Sequence, residues 1–212
     1  MTFDFKKVFI VTAPSGAGKT TLNRKLLQEP ASMVRIATSY TTRSSRKNEK
    51  HGDHYWFVSK EMFQEKIQHG EMLEWAEVYG NYYGTSKQEL ERLLQQNHKV
   101  ILEIDSQGRQ QVVSRIPQVQ SIFILPPSLR VLWSRLDQRN TDTSEKKNER
   151  FEACKTELRM GKTYENFIIN DHLETAYQEL KAFILYNQPL SVQKEEGFKY
   201  IDQLLTQDPK SG

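Results

Sequence analysis

Cysteine is almost absent from these 212 residues: Cys154 stands alone. One cysteine cannot close a disulfide within the chain or build a cysteine-based zinc site. It fits a reducing compartment, so a cytoplasmic location is expected. No apolar run approaches the ~20 residues that a membrane span requires. The N-terminal stretch has no apolar core of the secretory kind, so neither a signal peptide nor a membrane partner is expected. An excess of one charge is also missing. Thirty Lys and Arg face 27 Asp and Glu, for a net charge of +3. That is too weak a bias to argue for nucleic acid, and its expected use is local, as arginines gathered around phosphates. There is no internal repeat. The length suits one α/β domain with insertions.

What is present begins at once. Val8-Phe9-Ile10-Val11-Thr12 has the composition of a buried parallel strand. Ala13-Pro14-Ser15-Gly16-Ala17-Gly18-Lys19-Thr20-Thr21 follows, and then a helical pattern to residue 29 with Leu22, Leu26 and Leu27 on one face. Strand, glycine loop and helix in this order make a phosphate-binding P-loop. Gly16 and Gly18 can take positive φ, which turns successive N–H groups inward around a polyphosphate. The helix adds its positive dipole end. Lys19 is expected on the β- and γ-phosphates and the Thr20 hydroxyl on Mg²⁺. Ala13 stands where the usual motif has glycine, which matters only if that position needs positive φ.

Further along, Ser39 to Val58 is polar and basic and ends in an aromatic, strand-like run. Arg43 and Arg46, three apart with hydroxyls beside them, suit a second phosphate, although a solvated loop reads equally well from this stretch alone. Residues 60–70 read as a helix with Met62, Phe63 and Ile67 inward. Residues 71–86 supply strand material around Gly80-Asn81. Within it, Glu74 is either a solvent-facing residue or a buried acceptor for a ligand. Tyr82 and Tyr83 are core aromatics or phosphate contacts. Residues 86–96 read as a helix. The apolar strand from Lys99 ends in Glu103 and Asp105, the place from which acids orient Mg²⁺ and its waters in parallel α/β sheets.

The second half adds a buried strand at 121–125, closed by two prolines, and a helix from Ser128 that carries Arg135 and Arg139 on one face. Thr141 to Lys147 is polar and reads as mobile. Arg150 follows, on a second helix running to about Met160. Arginines flanking such a stretch suit a lid over ATP, or a charged surface hairpin. A last strand ends at Ile169-Asn170-Asp171, followed by helices at 173–184 and 186–206.

Taken together, the chain resembles bacterial guanylate kinase over nearly its whole length. The matches are Ala13 to Thr20, Ser39-Tyr40-Thr41-Thr42-Arg43 with Arg46, Tyr55, Glu74-Trp75-Ala76, Gly80 to Thr85, Ile104-Asp105 before Gln107-Gly108, and Ile169-Asn170-Asp171. The Ala-Pro-Ser-Gly opening also occurs in that family. The resemblance implies a P-loop three-layer α/β/α fold with a parallel core sheet, a small α+β insertion for GMP and a helical lid. Its divisions are core at 1–37, GMP-binding subdomain at 38–89, core at 90–128, lid at 129–160, and core with C-terminal helices at 161–212. It implies transfer of the ATP γ-phosphate to GMP or dGMP, with Mg²⁺. A homo-oligomer is compatible with it.

By the same resemblance, Arg43, Arg46, Tyr55 and Tyr83 hold the GMP phosphate. Glu74 accepts from the guanine N1–H and N2 amino group, Ser39 and Thr85 address O6, and Asp105 the amino side. Lys19, Arg135, Arg139 and Arg150 handle the ATP phosphates and the transition-state charge, and Asn170 lies near the adenine. Departures are Glu103 for Asp, Ser106 for a larger residue, Asn140 for Gly, Phe151 for an aliphatic residue, and a basic pair at Lys146 and Lys147. None removes a phosphate ligand. Two rivals are a guanylate-kinase-like module that binds a phosphorylated peptide, and a P-loop kinase with another acceptor. An intact Gly18-Lys19-Thr20 speaks against the first. Glu74 with Ser39, Arg43 and Arg46 speaks against the second.

Overall fold

The computed structural model describes residues 3–30, 32–78, 80–137 and 144–208. Side chains at 136, 137 and 144–147 are also outside the description. The chain divides into two compact units, Met1–Ile10 with Met33–Gln120, and Val11–Ser32 with Ser121–Gly212. Strand β1 (Val8–Thr12) is fully buried and contributes to both.

The first unit holds β2 (Val34–Ile36) and β7 (Lys99–Leu102), with the first part of β1. These three run parallel, Val8 opposite Val100 and Val34 opposite Lys99. Their apolar side chains are buried with Leu90, Leu93 and Leu94 of α3 (Lys87–Gln95) and Val112 of α4 (Ser106–Arg115). A second sheet in this unit has the order β4 (Trp56–Phe57), β3 (Tyr40–Thr41), β6 (Asn81–Ser86), β5 (Met72–Val78). It lies within residues 38–89. Strands β5 and β6 form an antiparallel hairpin around Gly80, whose φ is +75°. The register shifts between Met72 and Glu74, which leaves Leu73 as an extra residue in β5.

Helix starts here follow side-chain caps. Ser59 accepts from the Met62 N–H at α2 (Lys60–Gln68), Ser86 from the Glu89 N–H at α3, and Asp105 from the Gly108 N–H at α4. In α2 the expectation for Met62 fails. Phe63 is buried, but Met62 is 49% exposed. One residue is ~100° of helical turn, so a narrow stripe through Phe63 and Ile67 sends Met62 outward. Helix α4 had no counterpart among the expected elements, because its stretch is mostly polar and only Val112, Ser106 and Gly108 are buried.

The second unit contains α1 (Lys19–Leu27), β8 (Gln120–Leu125), α5 (Leu129–Asp137), α6 (Ser144–Gly161), β9 (Asn166–Ile169), α7 (Leu173–Tyr186) and α8 (Lys194–Thr206). Strands β8 and β9 pair in parallel, Phe123 opposite Phe167 and Leu125 opposite Ile169. Helix α6 starts at Ser144, so residues 144–147 are helical rather than part of a mobile stretch. Helix α8 starts at Lys194, eight residues later than expected. Asn187 takes the left-handed conformation and ends α7. A capping box of Gln193 and Glu196 then restarts the helix. Among the described residues, no helix is long and apolar enough to cross a membrane.

Candidate active site

The P-loop frames a cavity of about 710 Å³ in the second unit. Its walls include Ala13 to Gly16, Gly18 to Thr21, Arg135, Glu157 and Asn170. Gly16 and Gly18 have φ of +89° and +99°. Ala13 is not among the residues with positive φ, so an alanine there costs nothing. Helix α1 begins at Lys19, with Gly18 as its left-handed cap.

Side chains on the cavity wall take carbonyls of the loop. Arg135 Nη1 donates to the Gly16 carbonyl at 2.8 Å, and Asn170 Nδ2 to the Ala17 carbonyl at 2.7 Å. Cys154 Sγ reaches the Ser15 carbonyl at 3.5 Å. The Ser15 N–H donates to Glu157 Oε2 at 3.2 Å. Asn170 is 96% buried and touches the loop itself. A Cβ added at Gly18 would lie 2.2 Å from its Nδ2. Glu157 and Cys154 were not legible as site residues, because their partners are backbone atoms more than a hundred residues away.

Arg150 lies on α6. Beside it, Phe151 is buried and meets Trp133 of α5 edge-on at 5.0 Å, which accounts for an aromatic residue at that position. Arg139 and Asn140 lie outside the described residues, as do the side chains of Lys146 and Lys147.

The first unit gathers the other expected group. Arg43 donates from Nη1 and Nη2 to the two oxygens of Glu49 at 2.7 and 2.8 Å, and Glu49 also accepts from the Arg46 N–H at 2.8 Å. This holds the Glu49 carboxyl down at about 2, chiefly through the Arg43 guanidinium. The guanidinium also lies 5.4 Å from the Tyr55 ring centre, and Tyr55 and Tyr83 meet edge-on at 6.0 Å. Burial pushes the Tyr55 hydroxyl up. The Arg46 side chain is exposed.

Glu74 is buried rather than solvent-facing. It is 3% exposed, and burial raises its carboxyl to about 7 despite hydrogen bonds from Thr85. Its Oε1 has no hydrogen-bond partner among the described residues. Ser39 Oγ and Thr85 Oγ1 are 3.3 Å apart. Glu74, Thr85, Ser39 and Asp105 thus stand together, with the Asp105 charge acting on Glu74. Asp105 also caps α4, and Glu103 acts electrostatically on Tyr55. A buried carboxylate oxygen without a donor is costly, and a ligand that brings N–H groups removes that cost.

The family model for guanylate kinase matches residues 5–187. The chain belongs to the guanylate kinase family. It is 42% identical over 206 residues to a guanylate kinase of Pseudomonas fluorescens, covering 97% of this chain and 100% of that one. It is 46% identical over 177 residues to one from Dechloromonas aromatica, covering 84% and 87%. The crystal structure of guanylate kinase from Anaplasma phagocytophilum is similar, with a TM-score of 0.67 at 30% identity and 85% of each chain covered.

Proposed function

We infer that this chain transfers the γ-phosphoryl group of ATP to GMP, and to dGMP, giving ADP and the diphosphate. The observation that carries the choice of acceptor is Glu74. A buried carboxylate oxygen without a donor suits the N1–H and 2-amino group of guanine. Adenine presents a lone pair at N1 and no 2-amino group, so it would leave Glu74 facing a repulsive acceptor. A site built on such hydrogen bonds rejects the wrong base by on the order of 10⁴-fold. Ser39 and Thr85 would address O6, and Asp105 the amino edge.

Arg43, Arg46, Tyr55 and Tyr83 would hold the GMP phosphate. Residues 13–21 would cradle the ATP phosphates, with Asn170 beside them. Lys19, Arg135, Arg139 and Arg150 would neutralise charge on the transferring group. The attacking phosphate oxygen is already anionic, so no general base is needed. Positioning and electrostatic stabilisation account for the rate. Mg²⁺ suits the donor chemistry here: Thr20 is an exposed hydroxyl on the cavity wall, and magnesium takes oxygen ligands while keeping several waters. When bound with ATP it would supply further charge neutralisation. A cytoplasmic location fits a sequence whose one cysteine, Cys154, cannot close a disulfide within the chain.

The test is ADP formation from Mg·ATP with GMP, dGMP, AMP, CMP and UMP, with Glu74→Ala alongside. GMP-dependent turnover lost in the variant supports this reading. Equal turnover with another base sinks it. GMP binding without turnover would favour a binding module.

A further inference from the structure

We propose that Gln111 is a positioning residue for acceptor selectivity: it fixes the backbone of β5 beside Glu74 and so sets where the base-reading carboxylate stands. The inference rests on the reading of Glu74 as the guanine acceptor.

Strand β5 is the edge strand of its sheet, with β6 as its one neighbouring strand among the described residues. The other edge of such a strand carries unpaired N–H and C=O groups that something must satisfy. Helix α4 does this with two side chains one helical turn apart. Gln111 accepts from the Trp75 N–H at 3.2 Å and donates from Nε2 to the Trp75 carbonyl at 2.6 Å. Its amide thus pairs with the Trp75 backbone as a neighbouring strand would. Arg115 Nη1 donates to the Met72 carbonyl at 3.1 Å and to the Leu73 carbonyl.

These contacts bracket the one irregularity in β5. The extra residue Leu73 comes immediately before Glu74, and a bulge of this kind re-aims the side chains that follow it. Gly108 of α4 leaves space for the re-aimed carboxylate, since a Cβ there would sit 2.5 Å from Glu74 Oε2. On the opposite side, Gly84 of β6 lets β5 approach closely; a Cβ there would fall 2.5 Å from the Glu74 carbonyl. Glu74 therefore stands on a bulged strand pinned at residues 72, 73 and 75. Of these pins, the one made by Gln111 falls on Trp75, next in sequence to the reader, and holds both the N–H and the C=O of that residue.

The test uses the whole enzyme with Gln111→Glu and Gln111→Met. The first keeps the acceptor but loses the donor to Trp75, and the second keeps the bulk and loses both. Steady-state rates are measured with GMP and with IMP, which lacks the 2-amino group, at saturating Mg·ATP. The KM for ATP and the thermal midpoint are measured beside them. The expected result is a rise in the GMP KM of about tenfold, with kcat within about twofold, the ATP KM unchanged and the GMP-to-IMP preference reduced at least about threefold, the scale of one or two lost hydrogen bonds. An unchanged preference in a folded variant overturns the proposal. So does a parallel worsening of the GMP and ATP constants, or failure of both variants to fold, since each would mean a merely structural residue. A wild-type enzyme without GMP preference, or Glu74→Gln that retains it, would instead overturn the guanine reading on which this rests.

Discussion

Arg43 and Glu49 form a two-pronged ion pair, Nη1 to Oε2 at 2.7 Å and Nη2 to Oε1 at 2.8 Å. The arginine proposed for the GMP phosphate therefore carries a resident carboxylate. Glu49 is depressed to about 2 from an ordinary 4.5. Its stabilising effect is complete above pH ~4.5 and is lost as the pH falls towards 2. Glu49→Gln should lower stability by about 1 kcal/mol at pH 7, a modest figure because the pair lies near the surface. The gap to wild type should close at pH ~2. Urea unfolding across that range measures it, and a gap that stays constant with pH would assign the loss to packing.

The opposite sign holds for Glu74. Its folded carboxyl sits at about 7, above the unfolded value of 4.5. Between these values the unfolded chain gives up the proton while the folded chain retains it, so stability falls as pH rises and levels off above 7. The full penalty is about 3 kcal/mol at ~1.4 kcal/mol per unit. Glu74→Gln should unfold later than wild type at pH 8 and by a much smaller margin at pH 5. If Glu74 reads guanine as proposed, the base needs the ionised acceptor, and the GMP KM should fall about tenfold between pH 6 and 8. The residual activity of Glu74→Gln should show no corresponding step. A wild-type GMP KM that is flat over this range would mean that Glu74 is already ionised in the free enzyme.

Gly18→Ala tests the loop. The added methyl has two faults: a φ of +99° and a 2.2 Å approach to Asn170 Nδ2. Non-glycine residues at such φ are strained by ~1–3 kcal/mol. The variant should lose ATP affinity by at least about tenfold, because the loop or Asn170 must move. Titration with ATP in the absence of an acceptor isolates this effect. Unchanged ATP affinity would show that the loop tolerates both faults.

The P-loop was legible because its chemistry is local: a strand, small residues with two glycines, and Lys19-Thr20 on a new helix specify the turn with few outside contacts. Glu74 was only half legible. Its apolar neighbours allowed either a solvent-facing or a buried position, and the bulge at Leu73 that decides the matter leaves no mark in residue type. Gln111 was not legible at all. A glutamine in a polar helix looks like a solvated side chain, and its partner Trp75 is 36 residues away. The start of α8 failed for a related reason. Residues from 186 onward carry spaced apolar side chains, but Asn187 takes left-handed φ of 54° and breaks the run before the capping box restores it.

Asn170 carries the last prediction. The family resemblance puts it near the adenine, while its observed hydrogen bond is to the loop, from Nδ2 to the Ala17 carbonyl at 2.7 Å in a buried setting. Asn170→Ala leaves that carbonyl without its donor, at a cost of about 1–3 kcal/mol. Asn170→Asp should be worse, because a carboxylate would face a carbonyl in a buried place. Both variants should raise the ATP KM by relaxing the loop. The discriminating measurement is the choice of donor. A residue that contacts adenine would alter the preference for ATP over GTP, whereas a residue that buttresses the loop would weaken both donors by the same factor. Equal weakening is the expected result, because on the proposed reading the loop cradles the phosphates, which are common to the two nucleotides.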